Sequence, residues 1–400
     1  MLKKMFGFWF QPKKMLKFIY LILPFLALSG CLEKTSPVAP TAKITLEKTS
    51  FSQLSGWKNE DFAAVIPVMA KNCQMIMKNN KPYIYNAQIK ISSQEYQAVC
   101  RRFMAENIKT NAAMQAFMEK EFVPYIISDN GKAEGKFTSY YEATIRASRS
   151  KHDAYKYPIY GKPTDLVEIN LRDFDSALPN TRLVGRVENG HFIPYYKRGD
   201  IENGQINAPV LLWGDDLVDI HFMQIQGSAV AKLDNGEEIR IGFADSNGHK
   251  FKGIGSILIE KGLIKREDSS MPKIRTWLRA HPEQAQKLMA ENERFIFQRL
   301  TNADGPIGAL GISLTAGRSL AVDNAYIPLG AMLWLDSHNP DGGKIQKIVF
   351  AQDIGSAIKG VVRGDYFWGH GEEALYHAGR MNSSGRYYLL APKNASLKVN

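Results

Sequence analysis

The sequence is poor in cysteine, poor in acids relative to bases, and without a long uninterrupted apolar run. Three cysteines among 400 residues exclude a small disulfide-rich scaffold. The longest apolar stretch, 18–28, contains Pro24 and falls short of the roughly 20 apolar residues that a membrane-spanning helix needs. Lysine and arginine number 51 against 40 acids, which gives a formal charge of +11. This surplus indicates attraction to an anionic partner but does not identify it.

Motifs of several common function classes are also absent. The histidines at 221, 249, 370 and 377 are scattered, without an H-E-x-x-H motif or a Cys/His cluster, so no metal site is predicted. The sequence contains no glycine-rich phosphate loop and no G-x-S-x-G elbow. No nucleic-acid-reading motif accompanies the basic charge. We therefore expect no cofactor and no nucleic-acid partner.

The first 31 residues resemble the signal of a bacterial lipoprotein. Residues 1–30 carry five lysines and no acid, and the apolar run is followed by Leu28-Ser29-Gly30-Cys31, which resembles a lipobox. The resemblance implies removal of residues 1–30 and acylation of Cys31, including by palmitate. Leu32 after the cysteine, rather than Asp, points to the outer membrane and its periplasmic face. The alternatives are an ordinary secretory signal with an incidental cysteine and an uncleaved anchor.

The chain beyond this signal has its own tether and its own cysteine pair. Residues 31–50 are rich in Thr, Ser, Pro and Lys, which predicts a flexible tether. Removing the five leader lysines lowers the formal charge from +11 to +6, which still suits an anionic cell wall. Outside the cytoplasm Cys73 and Cys100 are expected to pair, joining two predicted helices. The alternative is two buried free thiols.

Local patterns predict a mixed α and β chain with a β-rich middle. Helices are expected near 58–78, with a kink or restart at Pro67, near 93–121 and across 253–298. Short runs rich in Val, Ile, Tyr and Phe predict strands between; they are Phe137–Thr144, Asp165–Asn170, Val210–Trp213, Asp219–Gln226 and Ile239–Phe243. The clearest later strands are predicted at Ala331–Leu335, Ile345–Ala351 and Arg386–Ala391.

Two aspartates near the C-terminus carry the clearest chemical signal. Asp353 follows an apolar strand and precedes the turn at Gly355, whereas Asp365 precedes the aromatic run 366–368. Glycines let a substrate approach the backbone, and aromatic rings stack on the apolar faces of sugars. Loss of hydration among aromatic rings raises a carboxyl pKa and suits it to act as an acid. The alternative is that each aspartate only stabilises a turn.

Ordered motifs identify the family that the chain resembles. The patterns A-x-D-x-x-x-I-P-x-G at 321–330 and A-x-D-x-G-x-A-I-x-G at 351–360 resemble the C-terminal three-aspartate domain of the membrane-bound lytic transglycosylase A family. Further blocks of this family match upstream in the same order. They are FTSYYEATIRAS (137–148), YPIYGKP (157–163), FMQIQGSA (222–229), GFADSNGHKFKGIG (242–255) and GPIGALGISLTAGRSLAVD (305–323).

The resemblance implies roles for individual residues. Asp365 corresponds to the aspartate that first protonates the glycosidic oxygen between N-acetylmuramic acid and N-acetylglucosamine. It then takes the proton of the muramyl C6 hydroxyl, so a 1,6-anhydro ring forms without water. Asp353 is the supporting carboxylate. The residues expected to line the glycan groove are Thr138, Tyr141, Gln226, Gly227, Ser228, Asn247, Gly248, Asp323 and Lys359.

The same resemblance implies a two-domain architecture. A double-psi β-barrel with packed helices is expected from 51–145 and 251–400, the latter including the three-aspartate region 305–395. A smaller β-barrel-like domain is expected to be inserted over 146–250. The implied partners are peptidoglycan glycan strands, outer-membrane lipid through acylated Cys31, and other cell-wall enzymes. Two alternatives stay open, a hydrolytic peptidoglycan glycosidase and a catalytically silent peptidoglycan-binding lipoprotein.

Overall fold

A computed structural model describes residues 43–85 and 87–399 of the chain. The leader, the lipobox with Cys31 and most of the predicted tether lie outside these residues. The tether predicted over 31–50 is too long at its C-terminal end, because Ile44–Lys48 form a strand that pairs antiparallel with Phe122–Asp129. None of the helices in the described ranges is long and apolar enough to cross a membrane.

The described residues form a mixed α and β structure rich in strands, as predicted. The strands, β1 to β18, are Ile44–Lys48, Ile89–Ile91, Phe122–Asp129, Gly135–Ser148, Tyr157–Tyr160, Val167–Asn170, Arg182–Glu188, His191–Pro194, Val210–Gly214, Ala229–Leu233, Glu238–Ser246, Ile296–Thr301, Ser319–Val322, Met332–His338, Lys344–Ile354, Arg363–His370, Asn382–Pro392 and Leu397–Val399. The helices, α1 to α10, are Val65–Met77, Ser93–Ala105, Asn111–Glu121, Leu171–Phe174, Arg198–Glu202, Leu217–Gln226, Ile254–Glu260, Met271–Ala280, Pro282–Ala290 and Glu372–Ala378.

One large sheet runs through most of the described chain. Its order is β1-β3-β17-β14-β15-β13-β16-β4-β10-β11-β12. Besides β3, β17 pairs with two further strands, since its residues 386–390 pair with β14 and its residues 382–385 pair with β4. Strand pairing from β4 through β16, β13, β15, β14 and β17 therefore returns to β4 and makes a closed circuit.

β4 links this circuit to the middle of the chain. Its residues 136–142 pair parallel with β16, and its residues 143–147 pair parallel with β10. β10, β11 and β12 continue the sheet, and β9 pairs with both the end of β4 and β5. β6, β7 and β8 form a separate three-stranded sheet. One continuous strand thus carries residues of both regions.

The structure revises two predictions made from the sequence, one in the segment that forms α6 and one in the segment that forms α1. The strand predicted at Asp219–Gln226 is wrong, because these residues belong to α6, whose start is capped by the Asp216 carboxylate accepting from two backbone N–H groups. Of the kink or restart predicted at Pro67, the structure has the restart, since α1 begins at Val65 and a proline is tolerated in the first turn of a helix.

The N-terminal helices pack against the closed circuit through an apolar core. Trp57, which precedes α1, contacts Trp334 of β14 edge-on, with ring centroids 5.2 Å apart. A disulfide joins Cys73 of α1 to Cys100 of α2, with their Cα atoms 5.4 Å apart. A buried ion pair between Glu60 and Arg318, 2.9 Å long, fixes the same N-terminal segment to the start of β13. The strands that carry the aspartates are therefore backed by a fixed layer.

Candidate active site

The two predicted aspartates lie in one row across neighbouring strands. Ala321 of β13 pairs with Asp353 of β15 on one side and with Asp365 of β16 on the other. Asp365 in turn pairs with Thr138 of β4. Residues directly opposite each other in a sheet share a face, so all four side chains point the same way. The backbones of the two aspartates are two strand spacings apart, each of about 4.8 Å.

Local sequence explains why these strands approach so closely. Gly364, next to Asp365, has no room for a side chain, because an added Cβ would lie 2.9 Å from ring atoms of Phe137 on β4. The pairing of β13 with β15 shifts register between Leu320 and Ala321, which is the position of a β-bulge. The shift brings Asp353, rather than its neighbour, opposite Ala321. A glycine and a bulge therefore set the register of the row.

Asp353 is held as a fixed carboxylate. Its Oδ1 accepts from the backbone N–H of Ala309 (3.0 Å), and its Oδ2 accepts from the Tyr140 hydroxyl (2.9 Å). Burial raises the pKa of Asp353 to about 6, against the backbone N–H groups of Ala309 and Ile354 and the Tyr140 hydroxyl, which lower it. The charge of Asp365 raises it further. Both oxygens of Asp353 thus accept hydrogen bonds, as an ionised carboxylate does.

Asp365 is held through one oxygen. The Thr138 hydroxyl donates a short hydrogen bond to Oδ1 of Asp365. No described residue makes a hydrogen bond to Oδ2. Burial raises the pKa of Asp365, while the Thr138 hydrogen bond and the positive charge of Arg363 lower it. Asp365 therefore combines a raised pKa with an oxygen available to carry a proton, as a general acid requires.

Two residues of the site were not predicted from the sequence. Tyr140 reaches Asp353, and its own pKa is raised well above 10 by burial and by the charge of Asp353, so its hydroxyl stays protonated and donates. Arg363 donates to the Thr138 oxygen at 2.7 Å. Both follow from alternation along a strand, because Tyr140 lies two residues after Thr138 and Arg363 two residues before Asp365.

Tyr141, which was predicted to line the groove, points to the opposite face of β4. It is buried in a second apolar core, and its hydroxyl accepts from Arg275 at 3.2 Å. Its backbone N–H donates to the side-chain oxygen of Gln226, the last residue of α6 (3.1 Å). Gly227 ends that helix with a φ of 86°, and the carbonyl of buried Ser228 accepts from β4. The Gln226–Ser228 segment thus lies against β4, but on the Tyr141 side of the row.

Asp323 and Lys359 lie beside the row and contact each other. The Asp323 carboxylate is 4 % exposed and accepts from the backbone N–H groups of Ala325 (3.2 Å) and Gly360 (2.9 Å). The Lys359 ammonium lies 3.6 Å from Asp323, and its side chain is 65 % exposed. Asp323 therefore holds the loop between β15 and β16, which carry the other two aspartates, and Lys359 presents its charge to solvent.

Asn247 and Gly248 lie in the middle region, away from the row. The Asn247 side chain is buried and bonded only to backbone groups, donating to Tyr196 and Glu293 and accepting from Phe295 and His249. An added Cβ at Gly248 would lie 2.7 Å from the side chain of Val184. These contacts give Asn247 a role in holding its loop and leave it no unused polar group.

The geometry suits proton transfer at a bond that lies between the two carboxyls. Both carboxyls have raised pKa values, but Asp365 has an oxygen available to carry a proton, whereas both oxygens of Asp353 accept hydrogen bonds, so that it can stabilise positive charge as a carboxylate. The packed rings of Tyr140 and Phe367, with centroids 5.1 Å apart, flank the row on the same face. Among the described residues, no three His, Cys, Asp or Glu side chains converge as a metal site.

Two family models match the chain. One is described as the MltA specific insert domain and matches residues 136–299. The other is described as the 3D domain and matches residues 318–391, which include both aspartates of the row.

Individual relatives agree with these matches. Over 264 residues the chain is 30% identical to membrane-bound lytic murein transglycosylase A of Escherichia coli strain K12, covering 64% of this chain and 65% of that protein, just under two thirds of its length. The chain is similar in structure to crystalline MltA from Neisseria gonorrhoeae in a monoclinic form (TM-score 0.77, 30% identity, 90% and 97% covered). It is also similar to E. coli MltA with bound chitohexaose (TM-score 0.61, 26% identity, 82% and 90% covered).

Proposed function

The chain belongs to the MltA family, and on that premise we propose that it is a peptidoglycan lytic transglycosylase. Its substrate is the β-1,4 bond between N-acetylmuramic acid and N-acetylglucosamine, and its products carry a 1,6-anhydromuramyl end. The relatives named lytic murein transglycosylase support the reaction class, and the relative with bound chitohexaose supports a glycan substrate. The observation that carries the proposal is the placement of Asp365 and Asp353 on either side of Ala321.

Asp365 serves as both acid and base. In the first step Oδ2 of Asp365 gives its proton to the glycosidic oxygen while the bond from that oxygen to the muramyl anomeric carbon breaks. Positive charge then develops at the anomeric carbon, and the fixed carboxylate of Asp353 stabilises it. In the second step the muramyl C6 oxygen attacks that carbon, and its proton passes to Asp365. The acid is restored, and no water is consumed.

The same contacts support a more detailed proposal for the fold and for the glycan groove. The closed circuit of β4, β16, β13, β15, β14 and β17 supports a double-psi β-barrel, with the middle region as an inserted β-rich domain. We assign Thr138 to the groove, because its hydroxyl donates to Asp365, and Lys359 to the margin of the groove, because it contacts Asp323 beside the row. Gln226–Ser228 contact β4 at Tyr141 and Ala143 and are not assigned to the groove.

We further propose that the chain is anchored by lipid at the periplasmic face of the outer membrane. The support is the lysine-rich leader followed by the lipobox that ends at Cys31, together with relatives named membrane-bound. The acyl chains would contribute about 0.8 kcal/mol for each buried CH2 group, so several chains hold the protein firmly. An enzyme tethered in this way lies in the same compartment as peptidoglycan and as other enzymes that act on the cell wall.

Mass spectrometry of muropeptides tests the proposal. Full-length protein in detergent is incubated with purified peptidoglycan, beside Asp365→Asn and beside Asp153→Asn as the matched control. Asp153 lies in a surface turn with its side chain 93 % exposed and a φ of 42°, which asparagine adopts readily. We expect anhydromuramyl products, lighter by one water than hydrolysed ones, from the wild type and the control but not from Asp365→Asn.

Two other results would replace the proposal. Products with reducing ends would identify a hydrolase that uses Asp353 as base or nucleophile. Binding of folded protein to peptidoglycan without any product would identify a silent wall-binding lipoprotein.

A further inference from the structure

Arg363 and Thr138 form a chain of hydrogen bonds that ends on the acid. Arg363 donates from Nη2 to the Thr138 oxygen at 2.7 Å, and the Thr138 hydroxyl donates to Oδ1 of Asp365. All three side chains lie on one face, because Arg363 and Asp365 are two residues apart on β16 and Asp365 pairs with Thr138. Arg363 therefore reaches the acid through the threonine hydroxyl.

The direction of these hydrogen bonds is fixed by chemistry. A guanidinium only donates, so the Thr138 oxygen must accept from it. A hydroxyl carries a single hydrogen, which is then directed to Oδ1 of Asp365. Oδ1 can only accept while this arrangement persists. The proton of the neutral acid is consequently restricted to Oδ2, the oxygen to which no described residue makes a hydrogen bond.

We propose that Arg363 is a positioning residue that selects, through Thr138, the oxygen of Asp365 that carries the catalytic proton. The inference rests on the proposed function, in which Asp365 donates that proton. Without Arg363 the Thr138 hydroxyl turns freely and accepts from a proton on Oδ1, so a fraction of the protonated acid holds its proton away from the substrate.

The surroundings of Arg363 fix its orientation. Its Nη1 donates to the backbone carbonyl of Gly364 and, at 3.4 Å, to that of Lys136 on β4. The side chain is half-buried between the two strands. A planar guanidinium can bond two backbone carbonyls and one hydroxyl at once, which a lysine ammonium on a flexible chain does not reproduce.

The experiment compares pH profiles of variants in the full-length protein. The variants are Arg363→Met, Arg363→Lys, Thr138→Val, Thr138→Ser and the double variant Arg363→Met/Thr138→Val, with Arg101→Met, an exposed change on α2, as the control. The readout is the initial rate of anhydromuropeptide release at limiting substrate from pH 4 to 9. Thermal unfolding of each variant accompanies the rates.

We expect Arg363→Met to lose roughly 10- to 100-fold in rate, which is less than the roughly 100- to 10,000-fold that a positioned general acid contributes, because the acid itself remains. Its basic limb should move to higher pH, because loss of the positive charge and of the Thr138 hydrogen bond both raise the pKa of Asp365. Arg363→Lys should keep the position of the limb and part of the rate. Thr138→Ser should keep the position of the basic limb and most of the rate. The double variant should be no slower than Thr138→Val.

A structural role for Arg363 predicts a different pattern. The rate would then fall in step with the thermal stability, the basic limb would not move, and the effects in the double variant would multiply. That pattern would overturn the inference. A rate for Arg363→Met equal to that of Arg101→Met would overturn it as well.

The titration of Asp365 separates this inference from the proposed function. Carbon NMR of protein labelled at aspartate carboxyls, with Asp365→Asn to assign the signal, follows the acid without any turnover. An increase in the Asp365 pKa that Arg363→Met causes when Thr138 is present, and causes to a smaller extent in the Thr138→Val background, supports the relay even if the wild type releases no anhydro product. An unchanged pKa refutes it even if the wild type is active.

Discussion

Tyr140→Phe removes one of the hydrogen bonds that favour the ionised form of Asp353. The change removes only the hydroxyl that donates to Oδ2 of Asp353 at 2.9 Å and keeps the ring that packs on Phe367. The proposed mechanism needs Asp353 as a carboxylate when charge develops on the sugar. The acid limb of the activity profile should therefore report the pKa of Asp353.

The size of the shift follows from the strength of the lost bond. A hydrogen bond to a charged group contributes about 1.5–3 kcal/mol. At about 1.4 kcal/mol for each pKa unit this corresponds to roughly one to two units. The hydroxyl stabilises the ionised form, so its loss raises the pKa of Asp353 from about 6 to roughly 7–8.

The assay is the rate of anhydromuropeptide release against pH at limiting substrate. We expect the acid limb of Tyr140→Phe to move up by about one to two pH units and the rate at pH 6 to fall about 5- to 50-fold, with recovery toward pH 8. Tyr376→Phe is the matched control, because its hydroxyl also donates to a carboxylate, that of Asp341, but at the surface. An acid limb that stays in place while the control behaves normally refutes the role given to Asp353.

Three further perturbations have signs set by the structure. Burial raises the pKa of Asp353 from 3.8 to about 6, so its ionisation lowers the stability of the fold above that range. In urea unfolding, Asp353→Asn should therefore have a higher unfolding free energy than the wild type at pH 8 and should lose this advantage below pH 4. Replacing Cys73 and Cys100 by alanine, whose disulfide spans a sequence separation of 27, should lower the unfolding free energy by about 3.5 kcal/mol in the same assay, and reductant should add nothing to that variant. Gly364→Ala places a methyl group 2.9 Å from the Phe137 ring. It should lower the unfolding free energy, measured by thermal unfolding, by roughly 1–3 kcal/mol and remove most of the activity.

The sequence predicted the two aspartates because each has a local signal, and Thr138 because its motif resembles the family's. It missed Tyr140 and Arg363, because their positions beside the aspartates depend on strand pairing. Asp353 ends an apolar strand, and Asp365 precedes a run of aromatic residues. Thr138 and Arg363 meet across a parallel pairing of strands that are more than 200 residues apart in the chain. The register between such strands depends on the pairing of the whole sheet and on the bulge beside Ala321. A short window of sequence does not contain this information.

α6 shows how burial hides a helix from pattern analysis. The segment LVDIHFMQIQ packs against two apolar cores and buries residues on most sides, so its apolar positions lack the 3.6-residue period of a half-exposed helix. Its β-branched and aromatic residues then favoured a strand. The usable signal was Asp216, a helix-capping residue placed just before the run.

The position of Asn247 was predictable only in part. An Asn-Gly pair indicates a turn, and Gly248 indeed has a φ of 79°. The sequence does not state whether the asparagine side chain faces a groove or its own backbone. Three of its four bonds to backbone groups depend on the approach of Tyr196 and of residues 293–295, which comes from tertiary packing, and the fourth, from His249, is local.

The strand circuit also makes assembly of the row depend on nearly the whole described chain. Thr138 and Asp365 are 227 positions apart, and β17, which closes the circuit between β14 and β4, ends at Pro392. A chain that stops before β17 contains every residue of the row but cannot close the circuit that holds Thr138 beside Asp365. Pairings between segments so distant along the chain slow folding. Assembly of the row therefore depends on the last strands of the circuit as much as on β4.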